Sequence, residues 1–357
     1  MATYYAIGIM SGSSLDGVDL AYCEFDFLKN NWNFKILKSA NYPLVKWVDI
    51  LKNTNFLNAK DLQFLDNEFG NFLGKVCQTF IKENGISRID LIASHGHTIF
   101  HHPELGFTCQ VGNGNAIAQQ TCHKVVADFR GADIAAGGQG APIVPIGDLH
   151  LFKEYSFCLN IGGIANLSFK NKETIIAFDI CSANQVLNYY AQQKGKEYDK
   201  NGALAKKGKI HKELLASLNE IEYYKQAFPK SLDNSFSKKV IDIIEDYPDL
   251  TVEDKLATFV EHIAFQINKA VKSCGENLEN ENLLITGGGA FNLFLIERIK
   301  ANTKLKVILP KSEIINYKEA LVMAFMGVLR IRNEVNCLAS VTGASKNTIC
   351  GAIFEAV

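Results

Sequence analysis

A chain of 357 residues with a formal net charge of −1, 47% hydrophobic and 21% charged residues, fits two globular domains of ordinary size. The near-neutral balance excludes an electrostatically driven nucleic-acid or membrane surface, and no apolar run reaches the roughly 18 residues that span a bilayer. Nine scattered cysteines without a CxxC spacing, and the lack of a basic-then-apolar leader, point to a soluble cytoplasmic protein with reduced thiols.

A first strand is expected over residues 4–10, returning over 18–25, with a third over 32–42. The connection reads Gly8-Ile9-Met10-Ser11-Gly12-Ser13-Ser14-Leu15-Asp16-Gly17-Val18-Asp19. Gly12 and Gly17 leave no Cβ between backbone and a ligand, and the hydroxyls of Ser11, Ser13 and Ser14 suit phosphate oxygens. Asp16 and Asp19 suit Mg²⁺ or a sugar hydroxyl. Taken alone, such a turn is also an ordinary hairpin. Helical spacing follows over 45–54 and 59–84, then a buried strand over 89–94 that enters Ser94-His95-Gly96-His97-Thr98. A helix is expected over 113–122 and a strand over 124–128. Next come Phe129-Arg130-Gly131-Ala132-Asp133 and the loop Gly137-Gly138-Gln139-Gly140-Ala141-Pro142, with a helix opening toward Leu151.

At Tyr155 the pattern restarts, with strands over 157–161, 166–170 and 174–178, the turn Gly162-Gly163-Ile164-Ala165, and Asp179 ending the third strand. Strand–glycine turn–strand–strand thus occurs twice, as a structural repeat with little shared sequence. A helix over 254–273 and a buried strand over 282–286 lead into Gly287-Gly288-Gly289-Ala290-Phe291-Asn292, where backbone can lie against a nucleotide. The triplet lacks the GxGxxG spacing of a dinucleotide fold. A final helix over 317–335 is expected to cross back toward the first domain. The pattern predicts an α/β protein of two domains, 1–150 and 151–357, facing across a cleft. His95, His97, His101 and His102 form the densest histidine cluster, but no carboxylate or cysteine is spaced to complete a zinc site. Cys181, beside Asp179, has no evident activating base and reads as packing.

With these motifs in order along nearly the whole chain, the sequence resembles the anhydro-N-acetylmuramic acid kinase family of the sugar kinase/Hsp70/actin superfamily. The resemblance extends to Tyr198-Asp199-Lys200-Asn201-Gly202, Pro229-Lys230-Ser231, Glu319-Ala320 and Val341-Thr342-Gly343-Ala344. It implies two RNase H-like domains of the actin-like ATPase fold. It also implies ATP and Mg²⁺ as cofactors, a homodimer, and a role in peptidoglycan recycling. The reaction it implies opens the 1,6-anhydro bond by hydrolysis and phosphorylates O6, giving N-acetylmuramic acid 6-phosphate and ADP.

By the same resemblance Asp179 is the general base that activates water toward C1. Gly12, Ser13, Ser14, Leu15, Asp16, Gly17, Val18 and Asp19 cradle the β- and γ-phosphates. Gly162 and Gly163 form a second phosphate turn, and Gly287, Gly288 and Gly289 lie along the ribose and α-phosphate. Glu319 is assigned to Mg²⁺ through water; His97, Arg130, Asp133 and Asn184 are assigned to the sugar, Arg130 as partner of its lactyl carboxylate. Three departures stand out: Ser13 for the usual Thr, His97 for Gln, and Asp179-Ile180-Cys181-Ser182-Ala183-Asn184 for Asp-Thr-Gly-Pro-Gly-Asn. Without those glycines and that proline, the segment must follow a path open to residues with a Cβ. A kinase for another anhydro sugar such as levoglucosan, and a nucleotide-binding regulator without catalysis, are the alternatives.

Overall fold

The computed structural model describes residues 2–12, 15–54, 57–171, 174–228, 230–233, 235–275, 278 and 281–356. The chain forms two compact units, Met1–Phe152 with Tyr317–Val357, and Lys153–Asn316. Residues 317–357 therefore belong to the first unit rather than to the second.

The first unit opens with the antiparallel strands β1 (Ala2–Met10), β2 (Val18–Leu28) and β3 (Asn31–Tyr42), followed by α1 (Trp47–Lys52) and α2 (Ala59–Glu83). Asn58 caps α2 by accepting the Asp61 N–H at 3.0 Å, and Leu65, Phe69, Leu73, Cys77 and Phe80 bury one face of it. Then come β4 (Leu91–Ser94), the hairpin β5 (His97–His102) and β6 (Phe107–Val111), α3 (Gly114–Thr121), β7 (Val125–Ala127), α4 (Gly131–Ala135) and α5 (Pro145–His150). In the second unit, β8 (Phe157–Ile161), β9 (Ile164–Asn171) and β10 (Thr174–Ser182) again run antiparallel. They are followed by α6 (Asn184–Gln192), α7 (Lys212–Asn219), α8 (Phe236–Glu245), α9 (Val252–Ser273), β11 (Asn282–Thr286), α10 (Leu293–Asn302) and β12 (Lys306–Ile308). The chain ends with α11 (Ser312–Ile331), α12 (Ala339–Thr342) and β13 (Ala352–Phe354).

The first sheet has the order β13-β7-β4-β1-β2-β3 and the second β10-β9-β8-β11-β12. In each, the first strand of the meander also pairs in parallel with a later one, β1 with β4 and β8 with β11. The expected repeat is thus present as topology, and both units have the α/β class read from the sequence. The inner parallel strands are covered on both faces, which is why Leu91, Ile92 and Ala93, like Leu283, Leu284 and Ile285, are fully buried apolar runs. Among the described residues no helix is long and apolar enough to cross a membrane.

Helix α11 lies directly on the first sheet. A Cβ on Gly8 would stand 1.8 Å from the Ala320 carbonyl oxygen, and one on Gly327 would stand 2.5 Å from Leu91 Cδ1. Only a strand and a helix stripped to small residues can approach this closely. The helix kinks at Tyr317, where the chain passes from one unit to the other. Since Ala320 sits on Gly8, near the carboxyl end of β1, Glu319 is set beside the turn that follows that strand.

Candidate active site

In open α/β sheets, ligands meet the carboxyl ends of parallel strands. In the first unit those ends deliver Ser11 and Gly12 from β1, Ser94 and His95 from β4, and Asp128 from β7. After β1 the chain turns sharply: the Leu15 N–H donates to the Gly12 carbonyl at 3.2 Å, with Leu15 at φ +56°. Ser13 and Ser14 lie outside the described residues. Gly17 and Val18 are buried at the start of the returning strand, Gly17 packed on the Asn41 side chain, whose Nδ2 donates to Asp19 Oδ1 at 2.9 Å.

Three carboxylates belong to this end of the unit. Burial raises the Asp19 carboxyl above the usual carboxylate range, and the charge of Asp16 adds to it. Glu319 is also raised. Protein crowds a side chain that still reaches water, and the Asp19 charge reinforces this, against the opposing charges of Lys318 and Arg130. Lys318 itself is committed to a buried ion pair with Asp148 at 2.6 Å. Carboxylates raised by a neighbouring negative charge, as Asp19 is by Asp16 and Glu319 by Asp19 and Asp16, are what a divalent cation relieves. Among the described residues no three His, Cys, Asp or Glu side chains are placed to ligate one ion directly.

Arg130 follows β7 and is held from two sides. Its Nε and Nη2 donate to His95 Nε2 at 3.1 and 2.9 Å, and Nη1 donates to the Gly140 carbonyl at 2.5 Å. His95 Nδ1 lies 3.0 Å from the Gly96 carbonyl, which fixes the tautomer: Nδ1 carries the proton and Nε2 accepts. Burial and the Arg130 charge push the His95 pKa down to about 3, so the ring is neutral. Three of the guanidinium's five N–H donors are used in these bonds. His97 is buried, its Nδ1 3.4 Å from Ser11 Oγ and its ring edge-on to Phe69. His101 and His102 lie further along the hairpin, on Thr108 Oγ1 at 3.1 Å and Glu104 Oε1 at 3.0 Å.

Asp133 is not placed as the sequence suggested. It has no exposed surface, and both carboxylate oxygens are taken, by the Gly140 N–H at 2.8 Å and the Thr342 hydroxyl at 2.8 Å. It ties the glycine-rich loop to α12, and so holds the Gly140 carbonyl against Arg130.

In the second unit, β8 and β11 end at Gly162-Gly163 and Gly287-Gly288-Gly289. Gly287 has φ +80°, and a Cβ there would meet the Ile161 carbonyl oxygen at 2.7 Å; one on Gly289 would meet Ile161 Cγ2 at 2.3 Å. Gly287 is needed where the turn packs on the Ile161 backbone and Gly289 where it packs on the Ile161 side chain, while a Cβ on Gly288 would make only an ordinary contact with Asn184. The Gly162 and Gly163 carbonyls accept the N–H groups of Asn184 (3.1 Å) and Ala183 (2.8 Å). Asn184 Nδ2 donates to the Ile161 carbonyl at 3.1 Å. Its amide thus braces the glycine turns.

Asp179 sits in the edge strand β10, at a bulge between Asp179 and Cys181. Its backbone N–H donates to the Lys230 carbonyl at 3.1 Å, its carbonyl accepts the Tyr223 hydroxyl at 2.7 Å, and Oδ2 accepts the Leu232 N–H at 2.9 Å. Burial raises its pKa, partly offset by the Leu232 hydrogen bond. Such a bulge re-aims a side chain and fixes it. The strand continues through the altered segment to Ser182, with Ile180, Cys181, Ser182 and Ala183 all buried and none of them at positive φ. That is a path open to side chains. The Cys181 thiol is pushed up by burial, as for a packing residue. Sequence reasoning did not find Tyr223 or Leu232 as supports, although the Pro229-Lys230-Ser231 motif lies close to them, and it placed His95 in a histidine-rich motif without pairing it with Arg130.

A family model described as anhydro-N-acetylmuramic acid kinase matches residues 4–356. The anhydro-N-acetylmuramic acid kinase of Pasteurella multocida is 33% identical over 381 residues, covering 99% of this chain and 97% of its own. That of Sulfurimonas denitrificans is 32% identical over 386 residues, covering 99% and 100%. That of Shewanella amazonensis is 33% identical over 374 residues, covering 98% of each.

Proposed function

The chain belongs to the anhydro-N-acetylmuramic acid kinase family, and on that premise we propose that it opens 1,6-anhydro-N-acetylmuramic acid with water and transfers the γ-phosphoryl group of ATP to O6. Asp179 takes a proton from the water as its oxygen bonds to C1. The C1–O6 bond breaks, O6 attacks the γ-phosphorus in line, and the bond to the β-phosphate oxygen breaks to release ADP. The product is N-acetylmuramic acid 6-phosphate. The carrying observation is the placement of Asp179, whose backbone and carboxylate are fixed by Tyr223, Lys230 and Leu232 and whose pKa is raised, as suits a base.

The turn Gly12–Asp19, the Gly162-Gly163 turn and the Gly287–Gly289 turn are assigned to the phosphates and ribose of ATP. Asp16, Asp19 and Glu319 would hold Mg²⁺ through its waters. When bound, that ion neutralises charge on the phosphates. Arg130, oriented by His95 and Gly140, offers its remaining donors to the lactyl carboxylate. His97 is assigned to the wall of the sugar site. Peptidoglycan recycling, a cytoplasmic location and a homodimer belong to the same reading; nine free cysteines agree with a reducing compartment, and sedimentation velocity tests the dimer.

The test is ADP release with Mg·ATP and 1,6-anhydro-N-acetylmuramic acid, levoglucosan or glucose, for wild type and Asp179→Asn. Turnover with the muramic sugar alone, lost in the variant, is the expected result. No sugar-dependent ADP from any of the three overturns it.

A further inference from the structure

The second unit holds a cavity of about 460 Å³ that the proposed chemistry does not use. Its walls come from a strand, a helix and a loop. Phe178 and Ile180 line it from β10, on either side of Asp179 in the chain, where the bulge interrupts the strand's regular alternation. Gln266, Lys269, Ala270 and Ser273 recur at helical spacing along one face of α9. The segment from Tyr224 to Phe228, with Lys230, completes the wall, and Phe228 stacks on Phe178 with ring centroids 5.0 Å apart and planes within 12°. The lining combines aromatic and aliphatic side chains with three lysines.

Of the three lysines that line the cavity, Lys225 is already paired, with Glu220 at 3.0 Å and Glu222 at 3.9 Å. Lys230 is half-buried, its Nζ donating to the Tyr223 carbonyl at 3.2 Å and lying 4.6 Å from the centre of the Tyr223 ring. Burial lowers the Lys230 pKa, and the Lys269 charge lowers it further. Lys230 and Lys269 both line the cavity, and although Glu220 also feels the Lys269 charge, two ammonium groups beside one cavity match a dianion. A monocarboxylate would neutralise one of them. We infer that this cavity is a binding site for a phosphomonoester whose body is a compact apolar or aromatic group, with the phosphate on Lys230 and Lys269 and the body against Phe178, Ile180 and Phe228.

The site is distinct from the assigned ATP and sugar residues, so the test saturates those first. Phenyl phosphate is titrated calorimetrically into the full-length protein saturated with a non-hydrolysable ATP analogue, Mg²⁺ and 1,6-anhydro-N-acetylmuramic acid. One equivalent is expected to bind, more tightly than inorganic phosphate, because only the ester reaches the apolar wall. Lys269→Glu, at an exposed position, is expected to weaken it about tenfold by opposing the dianion, and Lys269→Met to weaken it less; unchanged melting temperatures establish that both variants are folded. Absence of binding to wild type, equal affinity for phenyl phosphate in Lys269→Glu, equal affinity of wild type for inorganic phosphate, or loss of binding on saturation with the nucleotide analogue would each overturn the assignment.

Discussion

Asp179 carries opposed demands. A carboxyl whose pKa is higher in the fold than in the unfolded chain stabilises the fold fully below the unfolded value, and that contribution is lost as pH rises through the folded value. At neutral pH the ionised Asp179 is therefore a cost, accepted for a base that must be ionised to act. Asp179→Asn keeps an acceptor for the Leu232 N–H. It is expected to lower kcat by about 10²–10⁴-fold yet to melt higher than wild type at neutral pH, the gain fading on acidification. Thermal melts at neutral and acid pH, beside ADP release, check both parts; a lower melting point at neutral pH would refute the stability argument. For wild type, the acid limb of kcat/KM should fall above the ordinary aspartate value of 3.8. At Arg130 the test is selectivity. His95→Gln retains an acceptor for the guanidinium, whereas His95→Phe leaves its donors unpaired, at about 1–3 kcal/mol of stability. His95→Phe should also raise KM for the muramic sugar, with His95→Gln restoring much of both; steady-state kinetics and urea unfolding of the two variants separate the outcomes.

At the scale of elements, the contact of α11 with β1 sets where Glu319 stands. Gly8→Ala forces a Cβ into the Ala320 carbonyl oxygen, 1.8 Å away in the unrelaxed fold. Moving the helix off the strand should cost about 1–3 kcal/mol and reduce turnover by displacing Glu319, with a raised Mg²⁺ requirement as the readout that mere instability would not produce. The elements also show what a sequence can display. The meanders, α2, β4, β8, β11 and the core of α9 were legible because their periodicity is local. Strand β10 was expected to stop at Asp179, since its acidic residue looked like an end; it runs on to Ser182 because, past the bulge at Ile180, Cys181 and Ser182 are buried and pair with Ala165 and Ile164 of β9. The start of the hairpin, residues 94–98, read as a histidine-rich motif rather than as the entry to β5, and β6 was not expected. The site followed the same rule. Glycine turns and Asp179 stood out in the chain, but the burial of Asp133 depends on Thr342, and the orientation of Arg130 on His95, both remote in sequence.

For the whole molecule, each unit buries a neutral histidine. His95 braces Arg130 in the first. In the second, His262 has Nδ1 2.7 Å from Asn219 Oδ1 and Nε2 3.2 Å from the Tyr224 hydroxyl. Burial lowers the pKa of each to about 3, from an ordinary 6.5. Between those values the unfolded chain binds a proton that the folded unit does not, so stability falls as pH falls from about 6.5 toward about 3. Each histidine contributes a slope of about 1.4 kcal/mol per pH unit well inside that window. Urea unfolding across mildly acid pH should show this loss in both units. His262→Gln retains side-chain polarity for Asn219 and Tyr224 and removes the titration, so the second unit's pH dependence should flatten while that of the first persists. If the units unfold in separate transitions, only one should flatten; if they unfold together, the single slope should drop by the His262 share, about 1.4 kcal/mol per pH unit. An unchanged slope in His262→Gln would show that carboxylates, not the buried imidazole, set the acid limit of the second unit.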